Sequence, residues 1–500
     1  MSHLKKLSTF IMMIALLLVI SCKSSEESKV TFPENDIPIG ETSQEALKEF
    51  MEGLKLYDQG DFIKSRPHFR KAIELDPDFV SGHMYTAYTS NSVKDWSENR
   101  DKFLAMRDKA NEAEIIMMDL IEADLDNDTA KELELSKALV EKYPNSARAM
   151  DNLAGYYVGM DEVEKAREHW MKAHELDQDF IPVISSLGAS YLFTSPKDFN
   201  KAEKYMQMVV DKLPESSQAR IGLGDCYRAQ GDLGKALASY KKAAELDTEN
   251  EVAHSKAGHA NTFMGNYELA RQNFKDARKV SEFGTGSYNF EAYTYLYEGD
   301  YKKALAFLQE GAEMFDKMDI PESNKNGAKM GCARDCAMIA MHYGDADHLK
   351  ELVAMMKPMS NQFSEEADDP ITTLYQKANM HYWDAMASVT EGDYEAAAAK
   401  ADMIKAAMET VNDPNKLRSY HRVHAFVNYK KGDYDKALEH MAELNEDNVY
   451  IKFWKAKAHK MKGNDEKSME LFKEIANNNF NSVAYALILN QAKEMTAAVN

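Results

Sequence analysis

An extended all-α array of helix pairs is the fold class this sequence predicts, and three observations predict it. Turn-forming residue pairs recur at a fixed interval, apolar residues follow helical spacing, and the sustained Val/Ile/Thr alternation that builds sheets is absent. Five hundred residues exceed what one compact core holds, so length alone calls for an array or several domains. Twelve prolines and 23 glycines are too few for a disordered or collagen-like chain. A hydrophobic content of 44% supplies the apolar surface that folding needs.

The recurring turns are Gly60-Asp61-Phe62, Gly231-Asp232-Leu233, Gly265-Asn266-Tyr267, Gly299-Asp300-Tyr301, Gly392-Asp393-Tyr394, Gly432-Asp433-Tyr434 and Gly463-Asn464. Gly231, Gly265 and Gly299 step by 34 residues, as do Ala236, Ala270 and Ala304. Between Gln218 and Leu246 the first half places Leu223, Gly224 and Tyr227 on one helical stripe, and the second half places Ala236, Tyr240 and Ala243 on another. Gly224 and Ala236 lack bulk where two helices would cross. Gly231 can close the first helix at positive φ, and Asp232 can cap the second.

This 34-residue pattern resembles the tetratricopeptide (TPR) repeat. The next unit carries it in Ala257-Gly258, Asn261, Ala270, Phe274 and Ala277; earlier units carry it in Leu153-Ala154, Tyr157, Ala166 and Trp170, and in Leu187-Gly188, Tyr191 and Ala202. About twelve units fit between Thr42 and Asn479, with departures at Val80–Glu112 and Asn324–Met356. The resemblance implies an all-α, right-handed superhelical solenoid whose concave wall is lined by the first helix of each pair. Expected blocks are an N-terminal one at 42–315 and a C-terminal one at 316–479, with breaks near Asp316–Asn326 and Lys357–Pro370. Residues 480–500 read as a terminal helix capping the last repeat.

The first residues read as an export leader. Lys5 and Lys6 precede an apolar run from Phe10 to Ile20, too short to span a bilayer but suited to a signal sequence. Val19-Ile20-Ser21-Cys22 resembles the bacterial lipobox, which implies a leader at 1–21, lipidation of Cys22 and a flexible tether over 22–41. Lys23 in place of Asp favours the outer membrane, and Lys23-Ser24-Ser25-Glu26-Glu27 is similar to the surface-export signal of Bacteroidetes lipoproteins. Both faces of that membrane stay open.

A net charge of −21, made more negative by loss of Lys5 and Lys6, disfavours nucleic acid and anionic membrane surfaces as partners. Cys226, Cys332 and Cys336 lack any framework spacing and are expected as buried small residues. Asp124-x-Asp126-x-Asp128 imitates a calcium loop, but Thr129 stands where its glycine belongs and Leu135 where its glutamate belongs. Asp128 reads instead as a helix cap. No nucleophile elbow, phosphate loop or zinc-protease spacing is present, so no cofactor, metal site or enzymatic activity is expected.

The expectation that remains is a protein or peptide partner held in the concave groove by Phe193, Phe263, Tyr293, Tyr297, Tyr382, Trp383, Phe426 and Phe453. TPR domains that hold chaperone C-termini use a Lys/Asn carboxylate clamp, whereas Ile221, Asp225, Ser255 and His259 fill the nearest places here. A second reading is a glycan-binding lipoprotein of the SusD-like kind. Those proteins carry long insertions between helices, for which this chain has little room.

Overall fold

The computed structural model describes residues 29–497. Among them every regular element is a helix, in twelve successive pairs and one final helix. The first pairs are α1 (Gln44–Asp58) with α2 (Phe62–Leu75), α3 (Val80–Tyr88) with α4 (Val93–Leu104), α5 (Glu112–Leu125) with α6 (Thr129–Lys142), and α7 (Ala147–Gly159) with α8 (Val163–Leu176). Next come α9 (Ile181–Phe193) with α10 (Phe199–Lys212), α11 (Ser217–Ala229) with α12 (Leu233–Leu246), α13 (Glu251–Phe263) with α14 (Tyr267–Val280), and α15 (Tyr288–Tyr297) with α16 (Tyr301–Asp316). The last are α17 (Glu322–Tyr343) with α18 (Ala346–Ala367), α19 (Pro370–Glu391) with α20 (Tyr394–Ala407), α21 (Arg418–Lys431) with α22 (Tyr434–Ala442), and α23 (Val449–Met461) with α24 (Asp465–Ala476). Helix α25 (Val483–Ala497) ends the described chain. Each helix packs on its neighbours in sequence, the contact pattern of a solenoid.

One backbone device makes the recurrent turn. Gly60, Gly231, Gly265, Gly299, Gly392, Gly432 and Gly463 all lie at φ between 78° and 93°. That left-handed conformation strains a residue with a Cβ and ends a helix. Asp61, Asp232, Asp300, Asp393 and Asp433 then accept a backbone N–H from the first turn of the following helix. Asn127 (φ 56°) and Asp161 (φ 61°) supply the same turn without glycine, and Gly344 does so ahead of the cap Asp345.

Inside a pair, a missing side chain lets an aromatic ring reach the backbone. A Cβ on Gly224 of α11 would lie 2.5 Å from the Tyr240 ring of α12, and one on Gly258 of α13 would lie 2.5 Å from the Phe274 ring of α14. Both rings are fully buried. The irregular stretches are helix pairs too, short in α3 and α4 and 22 residues per helix in α17 and α18. Within the expected break at Lys357–Pro370, α18 runs through Pro358 to Ala367, and the interruption is confined to Asp368 and Asp369 ahead of α19.

Both ends depart from their expected roles. Residues 30–40, read as part of a flexible tether, are docked: Phe32 meets Phe50 of α1, Asp36 pairs with Arg148 of α7 at 3.0 Å, and the Gly40 N–H donates to Glu114 of α5 at 2.9 Å. Apolar contacts and a buried cation hold the segment down. Helix α25 packs on α23 and α24 as a cap would, and also against α15 and α17. The array therefore closes on itself. Helix α4 meets α18, where Ser97 Oγ donates to the Glu366 carbonyl at 2.7 Å, and Arg66 of α2 pairs with Glu282 at 2.9 Å.

Gly258→Ile drives a branched side chain into Phe274, and overpacking of this kind costs about 1–3 kcal/mol, with better helix propensity offsetting a fraction of it. Thermal unfolding followed by circular dichroism is expected to show a clear fall in Tm. Asn266→Ala removes a side chain that makes no cap hydrogen bond and is expected to shift Tm much less.

Candidate ligand-binding cleft

The eight aromatic residues expected in the groove all lie on the first helix of a pair. Phe193 is 46% exposed; Phe263 is partly buried, and the other six are buried. Tyr293 donates its hydroxyl to Asp335 at 2.6 Å, and Tyr297 donates to Asn481 at 2.8 Å. Phe426 packs on Trp454 and Phe453 on Phe472, while Tyr382 and Trp383 lie within the same core.

What covers much of this wall is the chain itself. Phe480 lies 5.6 Å from the Phe193 ring, with the Arg228 guanidinium 4.9 Å from its own centroid. The Asn479 carbonyl accepts from Arg228 at 2.7 Å, and Asn481 pairs with His259 at 2.9 Å. Tyr485 packs against Phe263 and Tyr297. Residues 479–485 thus lie along the first helices α9, α11, α13 and α15.

Of the positions compared with a carboxylate clamp, His259 meets Asn481 directly and Asp225 holds the Arg228 that binds Asn479, while Ile221 packs with Ala243 and Ala253. Burial pushes the Asp225 carboxyl up, but Lys256 at 2.8 Å, Arg228 at 3.0 Å and the Tyr240 hydroxyl at 2.6 Å overrule it and hold it at about 2. Burial, with Arg228 and Lys256 nearby, keeps the His259 ring neutral. Cys226 and Cys336 are buried thiols pushed up to about 12, so both stay protonated. Asp128 accepts from the Lys131 N–H and caps α6.

The open part of the concavity lies earlier, at α3 to α7. A cavity of about 680 Å³ is walled by Tyr88 of α3, Trp96 and Arg100 of α4, Asp124 of α5, Glu132 and Ser136 of α6, and Asn152 and Tyr156 of α7. The far wall is the end of α18, the start of α19 from Asp369 to Tyr375, and the turn Val411–Pro414. Gly155 and Gly159 face it four apart on α7, and a Cβ on either would meet nothing within 4 Å. Trp96 stacks on Tyr88 with centroids 6.1 Å apart. A second chamber of about 430 Å³ shares Tyr88, Trp96, Met117 and Asn152 with the first and is closed by Phe32, Ile37 and Ile39.

Acidic groups dominate the larger chamber. Asp369 caps α19, and Asp413 accepts the Tyr375 hydroxyl. Asp124 and Glu132 have no hydrogen-bond or ion-pair partner among the described residues. Burial, then Asp124 and Asp128, pushes the Glu132 carboxyl up to about 7; burial and Asp369 raise Asp124. Arg100 is the guanidinium of the cavity, and it already donates to Asp101 and to the Ala367 and Asp368 carbonyls. Sequence reading missed this cleft, although Gly155 and Gly159 at one helical turn and the acids from Asp124 to Glu132 were its visible signals.

The repeat is also recognised by comparison: the TPR repeat family matches residues 224–262, from α11 into α13. The BBSome complex member BBS4 of Mus musculus is 29% identical over 126 residues, 25% of this chain and 24% of that protein. The Hsp70-Hsp90 organizing protein 3 of Arabidopsis thaliana is 22% identical over 281 residues, 51% of this chain and 48% of that protein. The chain thus spans half or less of these relatives' length. The solved yeast Tom70 covers 91% of this chain and 90% of its own at 13% identity, with a TM-score of 0.36.

Tyr485 is fully buried between rings of α13 and α15. Tyr485→Ala is expected to cost about 3 kcal/mol, in line with other large-to-small core changes. Lower thermal stability together with increased binding of a hydrophobic dye would report the uncovered aromatic wall.

Proposed function

We propose that this chain is a membrane-anchored, non-catalytic protein-binding scaffold that holds a segment of a partner protein in the cleft between α3–α7 and α18–α19. One observation carries the reading. Along α9 to α15 the first-helix wall is filled by the chain's own residues 479–485, whereas along α3 to α7 a wall of rings and polar groups drawn from both helices of each pair stands open. A surface that packs a peptide of its own chain in one half has the chemistry to pack another chain's in the other. The relatives' names, a complex member and an organizing protein, agree with an assembly role. Anchoring rests on Cys22 and its lipobox, which lie outside the described residues; no described helix is long and apolar enough to cross a membrane.

Gly155→Trp tests the cleft by filling it from its floor. Gly155 has open space around its Cβ position and a helical backbone, so the variant is expected to keep its helicity and Tm. Partners captured by the wild-type protein from envelope extracts are expected to be lost. Retention of the same partners by the folded variant would place binding elsewhere.

Anchoring has a separate test. Cys22→Ser is expected to move the protein from the membrane fraction to the soluble fraction, with no labelled fatty acid incorporated. Continued labelling of the variant would remove Cys22 as the anchor.

A further inference from the structure

We infer that the cleft takes a basic peptide segment, with an Arg or Lys side chain seated between Asp124 and Glu132 and apolar flanking residues against Trp96 and Tyr156. The inference rests on the cleft being the protein-binding site and adds the chemistry of its occupant.

Charge complementarity points to the cation. Four carboxylates line one chamber, two of them are occupied within the chain, and Asp124 and Glu132 are left facing the cavity beside each other's charge. Arg100 does not neutralise them, because its donors are turned to Asp101 and the end of α18. Asp124 is exposed and Glu132 half-buried, and two such neighbouring carboxylates raise the cost of ionising one another, a cost that an incoming cation removes. An acidic tail meets the opposite condition and is rejected.

Independent of charge, Ser136 is only 2% exposed and lines the same chamber one turn beyond Glu132, with no hydrogen-bond partner among the described residues. Buried polar groups are ordinarily paired, so this hydroxyl is set for a group brought by an occupant. Asn152 across the chamber also has an amide without a partner among the described residues, suited to the N–H and C=O of a peptide backbone. The rings beside the acids accept both a guanidinium plane and aliphatic side chains. A chamber of about 680 Å³ holds a few residues rather than a folded domain.

Fluorescence anisotropy on the full chain tests this with a labelled Gly-Leu-Arg-Phe-Arg-Leu-Gly peptide, a form with citrulline for both arginines, and a form with glutamate for both. The arginine peptide is expected to bind at least about tenfold more tightly than the citrulline one, as charge-assisted hydrogen bonds require. Asp124→Asn combined with Glu132→Gln, verified as folded by circular dichroism, is expected to erase that difference.

Binding is also expected to strengthen about three- to tenfold from pH 6 to pH 8, because Glu132 must lose its proton to meet the cation. The groups sharing its chamber are Asp124 of α5, Arg100 of α4, Tyr156 of α7, and Asp369, Tyr375 and Asp413 of the far wall, with Asp128 at the turn before α6. Equal binding of arginine and citrulline peptides, no arginine-peptide binding at millimolar concentration, or indifference to the double variant overturns the inference. So does spermidine binding as tightly as the peptide, which would assign the cleft to a polyamine. Preference for the glutamate peptide, blocked by Gly155→Trp, overturns the basic occupant and keeps the cleft. Arginine-peptide binding untouched by Gly155→Trp overturns both readings.

Discussion

Arg100 is a buried guanidinium that pairs with its neighbour Asp101 and also donates to the last carbonyls of a helix nearly 270 residues away in sequence. A helix C-terminus leaves carbonyls unsatisfied and carries partial negative charge, so a planar, permanently charged donor fits it well. Fixing α18 against α4 in this way brings α19 and the Val411–Pro414 turn over the first repeats. The cleft then has two walls instead of one. Asn127 and Asn412 add polar contacts along the same seam, with the Asn412 N–H donating to Asn127 at 3.0 Å.

Seen from that seam, the concave face divides by occupancy rather than by repeat type. From α9 to α15 its aromatic rings and cations close on Phe480, Asn481 and Tyr485. From α3 to α7 rings and carboxylates remain without such a cover. The filled half meets an uncharged segment with rings, amides and the Arg228 guanidinium, whereas the open half presents unpaired carboxylates, so a segment suited to one is poorly suited to the other.

The sequence shows the repeat clearly because its physics is local. A glycine at positive φ, an aspartate three residues before the N–H it caps, and a glycine beneath an aromatic ring are all set within one unit. Units built on Asn127, Asp161 and Gly344 are harder to see because other residues reach the same turn. The placement of the groove residues is not local at all. Tyr297 and Phe263 are covered by Asn481 and Tyr485, about 200 residues later, and no periodicity encodes that meeting. The cleft escaped notice for a related reason: its walls come from the irregular α3–α4 pair and from a distant turn, and a bare glycine floor carries no chemistry of its own.

The return of α25 to α15 and α17 changes what kind of folding unit this is. An open solenoid gains stability by neighbours and completes each repeat as it is made. Here a stretch synthesised later supplies the inner lining of repeats made much earlier, adding contacts between residues far apart in sequence. Until residues 479–497 emerge, Phe263 and Tyr297 have no cover, and such aromatic surface is what chaperones and proteases recognise. A chain that stops before residue 479 would therefore carry its exposed aromatic surface in its middle, far from the point of truncation.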